Sequence, residues 1–183
     1  MTVVATTSNM TYPTKDVVNA ILQRSFREGR RDVSPMKVQK LLFYLDGWYL
    51  AVTGEPAIDD AFEVWKFGPV VPTVYHELKS YGSGPVTSYL KRLDLTTKTY
   101  QAYVVADTES KFQEVLDLTW EKYVGIDPLR LSAMTHAPDS PWAKAKRRGD
   151  TIIDNETIKT YFVGLAQSAS ANRRDAAIAV DNG

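Results

Sequence analysis

His76 and His136 are the side chains of this sequence best suited to move protons, and each has a carboxylate close by in the chain, Glu77 in one case and Asp139 in the other. An imidazole set against a carboxylate can serve as a general base. For His136 a plainer role competes, because a Thr-His pair closing a short helix before Pro138 suits a ring hydrogen-bonded to nearby backbone. Ser132 and Thr135 offer hydroxyls, but neither sits in a nucleophile elbow, so a hydrolase would have to be assembled from scattered residues. A metal ion asks for three or more ligands at suitable spacing, and neither a His-Glu-x-x-His run nor a histidine pair is present. Neither a metal nor a cofactor is expected. Gly82-Ser-Gly84 is too short for a phosphate loop and lacks its lysine, so it reads as a turn. The absence of cysteine removes thiolate nucleophiles, disulfides and thiolate zinc sites.

What is left is the chemistry of contact. Trp65, Lys66 and Phe67 followed by Gly68-Pro69-Val70, with Tyr75 just beyond, combine aromatic anchors with a stiff turn, and such groups bind a partner at low entropic cost. An alternating strand must also bury one face. That reading places Trp65 under the preceding helix and leaves Lys66, Phe67 and the turn on the surface. Lys144, Lys146, Arg147 and Arg148 make the densest basic run and, together with Arg24, Arg27, Arg30 and Arg31, can contact phosphates. No aromatic residue interleaves with them to stack bases, so a solvated helix face, or a contact for an acidic patch on a protein, fits as well.

Periodicity and punctuation place these residues on elements. Thr14 to about Glu28 has the spacing of a helix, stopped by Gly29. Ser34-Pro35 caps a second that runs to about Val52 and is apolar over more than half its circumference, so it should be packed on more than one side. Ile58 to Phe67 reads as a strand and Gly68-Pro69 as the reversal after it. A short helix begins at Pro72. Val86 to Ala106 favours extended structure paired with the Phe62 to Lys66 strand. Helices follow at Ser110 to Tyr123, from Asp127-Pro128 to Thr135, and from Pro141-Trp142 to Gly149. Thr151 to Ile153 is extended, and Asp154 or Asn155 caps a last helix. The expected class is α+β, mainly α: one compact helical domain with a small antiparallel sheet.

A chain of 183 residues with 44% apolar and 11% aromatic content can bury roughly 68–70% of its unfolded surface and fold alone. Its 22 basic and 22 acidic residues cancel, which argues against the strong positive field of a non-specific nucleic-acid binder. Met1 to Tyr12 has no signal-peptide pattern, and nowhere do ~18 apolar residues run together. A cytoplasmic protein without a membrane span is expected. Residues 1–13 read as a flexible leader, 14–167 as the domain and 168–183 as a flexible tail.

Taken together, Lys40-Leu-Leu-Phe-Tyr44, Gly47-Trp-Tyr-Leu50, Val64-Trp-Lys-Phe-Gly-Pro-Val-Val-Pro-Thr-Val-Tyr75, Leu131-Ser-Ala-Met-Thr-His136 and Pro141-Trp142 resemble the Panacea domain, also called the SocA-like antitoxin domain, in order and spacing. The resemblance covers about residues 14 to 167. It implies a non-enzymatic protein of bacteria or their prophages that pairs with a toxin encoded next to it and suppresses that toxin by direct binding. It leaves room for a proteolytic adaptor that hands the toxin to a cytosolic protease, and the basic run leaves room for a phage accessory protein binding nucleic acid, which is not the expected partner. The sequence departs from many members in Asp46, where Gln is frequent, and Val64, where Ala is frequent. No helix-turn-helix or zinc-ribbon module accompanies the domain, so control of its own promoter is not implied. The expected partner-binding surface is Trp65 to Val70 with Tyr75, and the basic run from Lys144 to Arg148 is secondary.

Overall fold

Residues Pro35–Thr53 form the helix around which the rest is arranged. Ser34 accepts a hydrogen bond from the Lys37 N–H, and Pro35 follows where no N–H is needed. Gly54 closes the helix in the left-handed conformation at φ 86°. Between these ends Val38, Leu41, Leu42, Phe43, Leu45, Tyr49 and Leu50 are all buried, more than a single packing face would cover.

In chain order, β1 (Val3–Thr6) leads to α1 (Thr14–Arg27), and the central helix is α2. β2 (Phe62–Trp65) and β3 (Gly68–Val70) form a hairpin, after which α3 (Pro72–Leu78) runs into a 3₁₀ turn, Lys79–Tyr81. β4 (Arg92–Asp94) and β5 (Thr99–Val105) precede α4 (Ser110–Tyr123), α5 (Pro128–Thr135), α6 (Pro141–Arg148), β6 (Ile152–Ile153) and α7 (Asn155–Asp181). The structure is a computed structural model that describes residues 3–6 and 11–181, with residue 6 and residues 172–181 as backbone alone. Among the described residues, no helix is long and apolar enough to cross a membrane.

The fold is α+β and mainly α. Helices α1, α4 and α7 lie against α2, and Phe162 of α7 meets Phe43, Tyr44 and Trp48 edge-on. That approach depends on Gly47, because a Cβ there would occupy the position of the Phe162 ring.

Two three-stranded sheets flank the helices, one ordered β1-β5-β4 and the other β3-β2-β6. The expected pairing of the Val86 to Ala106 region with the Phe62 to Lys66 strand does not occur. Both edges of β2 are taken, by β3 on one side and β6 on the other. β5 instead pairs with β1 in parallel and with β4 antiparallel. A buried side chain directs this: the Asn19 amide of α1 donates to Leu90 O and Tyr103 O at 2.8 Å each and accepts from Leu90 N at 2.8 Å. Buried amide groups need such partners, so the strand is held against α1.

Of the leader expected over residues 1–13, residues 1, 2 and 7–10 lie outside the described residues, while Val3–Thr6 pairs with β5 and Tyr12 is buried. Over the expected tail the backbone continues as helix to Asp181, and residues 182 and 183 lie outside the described residues.

Candidate functional site

Strand register sets the hairpin. Trp65 pairs with Gly68, Val64 with Pro69 and Glu63 with Val70, so Lys66 and Phe67 are the two residues that turn the chain. The expectation that Gly68-Pro69 makes the reversal is therefore corrected by two positions. Gly68, Pro69 and Val70 are strand residues and buried, so they are not part of an exposed surface. Gly68 is still needed where it is: its φ is 101°, and a Cβ there would run into Thr135 Oγ1 and stand 2.8 Å from Lys40 Nζ.

The reason this segment lies inward is that its carbonyl groups are collected by side chains from three helices. The Trp142 indole of α6 donates to Trp65 O at 2.9 Å, His136 Nε2 lies 3.2 Å from Lys66 O, and Ser132 Oγ donates to Phe67 O at 2.8 Å. From α2, Lys40 Nζ donates to Pro69 O at 2.9 Å. Gln39 bonds Val71 twice, its amide donating to Val71 O at 3.0 Å and its carbonyl accepting from Val71 N at 2.9 Å. Five side chains thus fix residues 65–71 at nearly every carbonyl.

His136 works within this frame. Its Nδ1 faces Ser132 O at 2.6 Å while Nε2 faces Lys66 O, and its ring lies 3.9 Å from that of Trp142. A carbonyl only accepts, so a ring nitrogen that carries a proton donates to the carbonyl it faces. This is the backbone-bonded role that the Thr-His pair suggested. His76, by contrast, is exposed on α3, edge-on to Tyr75 at 5.5 Å.

What the frame displays is apolar and cationic. Phe67 is 53% exposed and Tyr75 38%, and the Lys66 ammonium stands 5.4 Å over the Phe67 ring. Trp65 is half-buried. It packs on Tyr75, with ring centres 4.9 Å apart, and donates to Glu63 at 2.7 Å, so it lies against α3 and not under α2 as the alternation suggested. Behind these residues a groove of about 430 Å³ opens between the hairpin, α3 and the start of α2, and Lys40 lines it. Burial pushes the Lys40 ammonium down to about 7.

The basic run of α6 is largely engaged with its own neighbourhood. Lys146 sits 4.5 Å over the Trp142 ring, Arg147 donates to Pro138 O at 2.7 Å, and Arg148 pairs with Asp150 at 2.7 Å and Asp154 at 3.1 Å. Lys144 is half-buried. Arg24 pairs with Asp117 of α4 and Arg30 with Asp32 and Glu28.

Lys40 and Gln39 are the site residues that sequence reading passed over. On a helix buried on nearly every side their period places them in the core, and their partners are set only by the packed structure. Asp46 on the same helix accepts from Ala57 N at 2.7 Å and Ile58 N at 3.4 Å, so it ties down the loop entering β2. Burial pushes its carboxyl up to about 7.

A family model described as antitoxin SocA-like, Panacea domain matches residues 38–143, a span that contains Gln39, Lys40, the hairpin, Ser132, His136 and Trp142. The chain is also similar to Antitoxin SocA of Caulobacter vibrioides (strain NA1000 / CB15N), 27% identical over 110 residues. That alignment covers 60% of this chain and 58% of the relative's length. No solved structure matches the chain.

Proposed function

The chain belongs to the SocA-like antitoxin, Panacea domain family, and on that premise we propose that it is an antitoxin, a non-enzymatic protein that neutralises a cognate protein toxin by direct binding. The observation that carries this reading is the exposed Lys66-Phe67 turn beside Tyr75, mounted on a hairpin whose carbonyl groups are held by side chains of α2, α5 and α6. An aromatic anchor on a backbone already fixed loses little freedom on binding, which favours affinity. The frame lies within the residues that the family model matches, and the proposed contact side chains project from it.

The proposed surface is Trp65, Lys66, Phe67 and Tyr75, with Gly68, Pro69 and Val70 as its support. The α6 run of Lys144, Lys146, Arg147 and Arg148 has a secondary part at most, since Arg148 already pairs with two carboxylates. The protein is proposed to act in the cytoplasm on a toxin encoded beside it. The test is co-expression with that neighbour. The Phe67→Ala, Lys66→Glu double variant alters only exposed groups of the turn, so it should fold as wild type and lose neutralisation. Neutralisation equal to wild type would overturn the assignment of the surface.

A further inference from the structure

Twelve residues line the groove behind the hairpin, and the ionisable ones with charge are Lys40, Lys66 and Lys79, with no aspartate or glutamate among them. In a chain whose 22 basic and 22 acidic residues balance, that is a local choice and not a reflection of composition. The walls beside these lysines are large apolar groups, Met36, Trp65, Phe67 and Tyr75 among them.

Lys40 stands apart from the two exposed lysines. It is 1% exposed, yet among the described residues its ammonium has a single acceptor, Pro69 O. An ammonium offers three donors, and a buried charge is costly until it is paired. The cause of its lowered pKa is burial alone, with no carboxylate acting on it. The buried end of the groove thus holds a cationic donor without an anion, surrounded by apolar walls of the size that usually receives a side chain or small ligand.

We propose that this groove takes an acidic side chain flanked by large apolar residues on the partner protein, the Lys40 ammonium receiving the carboxylate and Trp65, Phe67 and Tyr75 receiving the apolar flanks. The identity of that partner as the toxin rests on the antitoxin reading, and the groove's preference does not. The exposed Phe67 and Tyr75 in the same groove call for apolar neighbours of the charge, so the occupant is proposed to be an internal acidic residue. A nucleic-acid strand would also match the lysines and stack bases on the exposed rings, so an oligothymidylate is the competitor in the test.

The test uses the whole protein and two peptides, fluorescein-Gly-Leu-Phe-Glu-Leu-Phe-Gly-amide and the same peptide with Gln in place of Glu, followed by fluorescence anisotropy. Wild type should bind the acidic peptide about tenfold more tightly than its glutamine counterpart, a difference of about 1.4 kcal/mol. Lys40→Met should bind the two alike. The comparison of peptides on wild type stands even if that variant folds poorly, and Lys79→Gln, at an exposed rim position, should weaken the acidic peptide alone. Equal affinity of wild type for both peptides, no binding of either up to about 1 mM, or tighter binding of an oligothymidylate than of the acidic peptide would overturn the proposal. A toxin that co-purifies with wild type while the peptides bind equally would overturn the groove and leave the antitoxin reading standing. Peptide discrimination without any toxin binding would overturn the reading and leave the groove.

Discussion

Replacing Lys40 by methionine should change how stability depends on pH, by an amount that follows from where the amine lies. Burial lowers its pKa in the folded protein from 10.5 to about 7. Between those values the unfolded chain holds a proton that the folded chain has released, so stability rises with pH across the window. A tenfold difference in proton affinity between the two states is worth about 1.36 kcal/mol. For a pKa moved this far, wild type gains roughly 3 kcal/mol from this group between pH 6 and pH 9. Methionine keeps the apolar stem and removes the charge, together with the bond to Pro69 O. That lost bond costs about 1 kcal/mol at every pH, so it displaces the variant's curve without tilting it. The assay is urea unfolding followed by tryptophan fluorescence at a series of pH values, with the difference between the two proteins taken at each. Contributions from other groups are common to both and cancel. The difference should swing in favour of wild type by roughly 3 kcal/mol from pH 6 to pH 9. A difference flat to within about 0.5 kcal/mol would refute the idea that Lys40 is held as an unpaired buried amine.

Two further outcomes follow from the same frame. Gly68→Ala forces a Cβ onto Thr135 Oγ1 and Lys40 Nζ at a φ of 101°, so it should cost roughly 2–4 kcal/mol through backbone strain and disrupted buried hydrogen bonds, read as a lower urea midpoint at constant slope. Asp46, with its carboxyl pushed up to about 7 from 3.8, keeps a proton in the folded state that the unfolded chain gives up, so stability falls as pH rises through that window. Asp46→Asn retains an oxygen for Ala57 N and Ile58 N and should abolish a loss of roughly 2–3 kcal/mol between pH 5 and 8, measured by the same titration of unfolding.

The helices were legible because their ends carry local chemistry. Ser34-Pro35, Asp127-Pro128 and Ser140-Pro141 each cap the helix they precede, and these signals act within one turn of chain. Strand pairing was not legible in the same way, since the fate of β5 is decided by Asn19, more than seventy residues away in sequence. The hairpin shows the same division. Gly68 and Pro69 are turn-forming residues by type, but the acceptors and donors that settle the backbone come from α2, α5 and α6, so the reversal falls at Lys66-Phe67. The anchors Phe67 and Tyr75 could be named from residue type and position, because aromatic side chains next to a turn tend to remain accessible. Lys40 could not, because on a strongly apolar helix its period placed it in the core, and only the packed structure reveals the groove into which its amine is directed.

The central claim is that the Lys66-Phe67 turn is a toxin-binding surface held by a rigid frame. The most direct measurement is co-expression of this protein with the toxin gene beside it, scoring growth and co-purification for wild type and for the Phe67→Ala, Lys66→Glu variant. Growth rescue and a stable complex with wild type, both lost in a variant that unfolds at the wild-type urea midpoint, is the predicted result. Rescue and complex formation undiminished in the variant would contradict the claim, and rescue by wild type accompanied by disappearance of the toxin would replace sequestration with delivery to a protease.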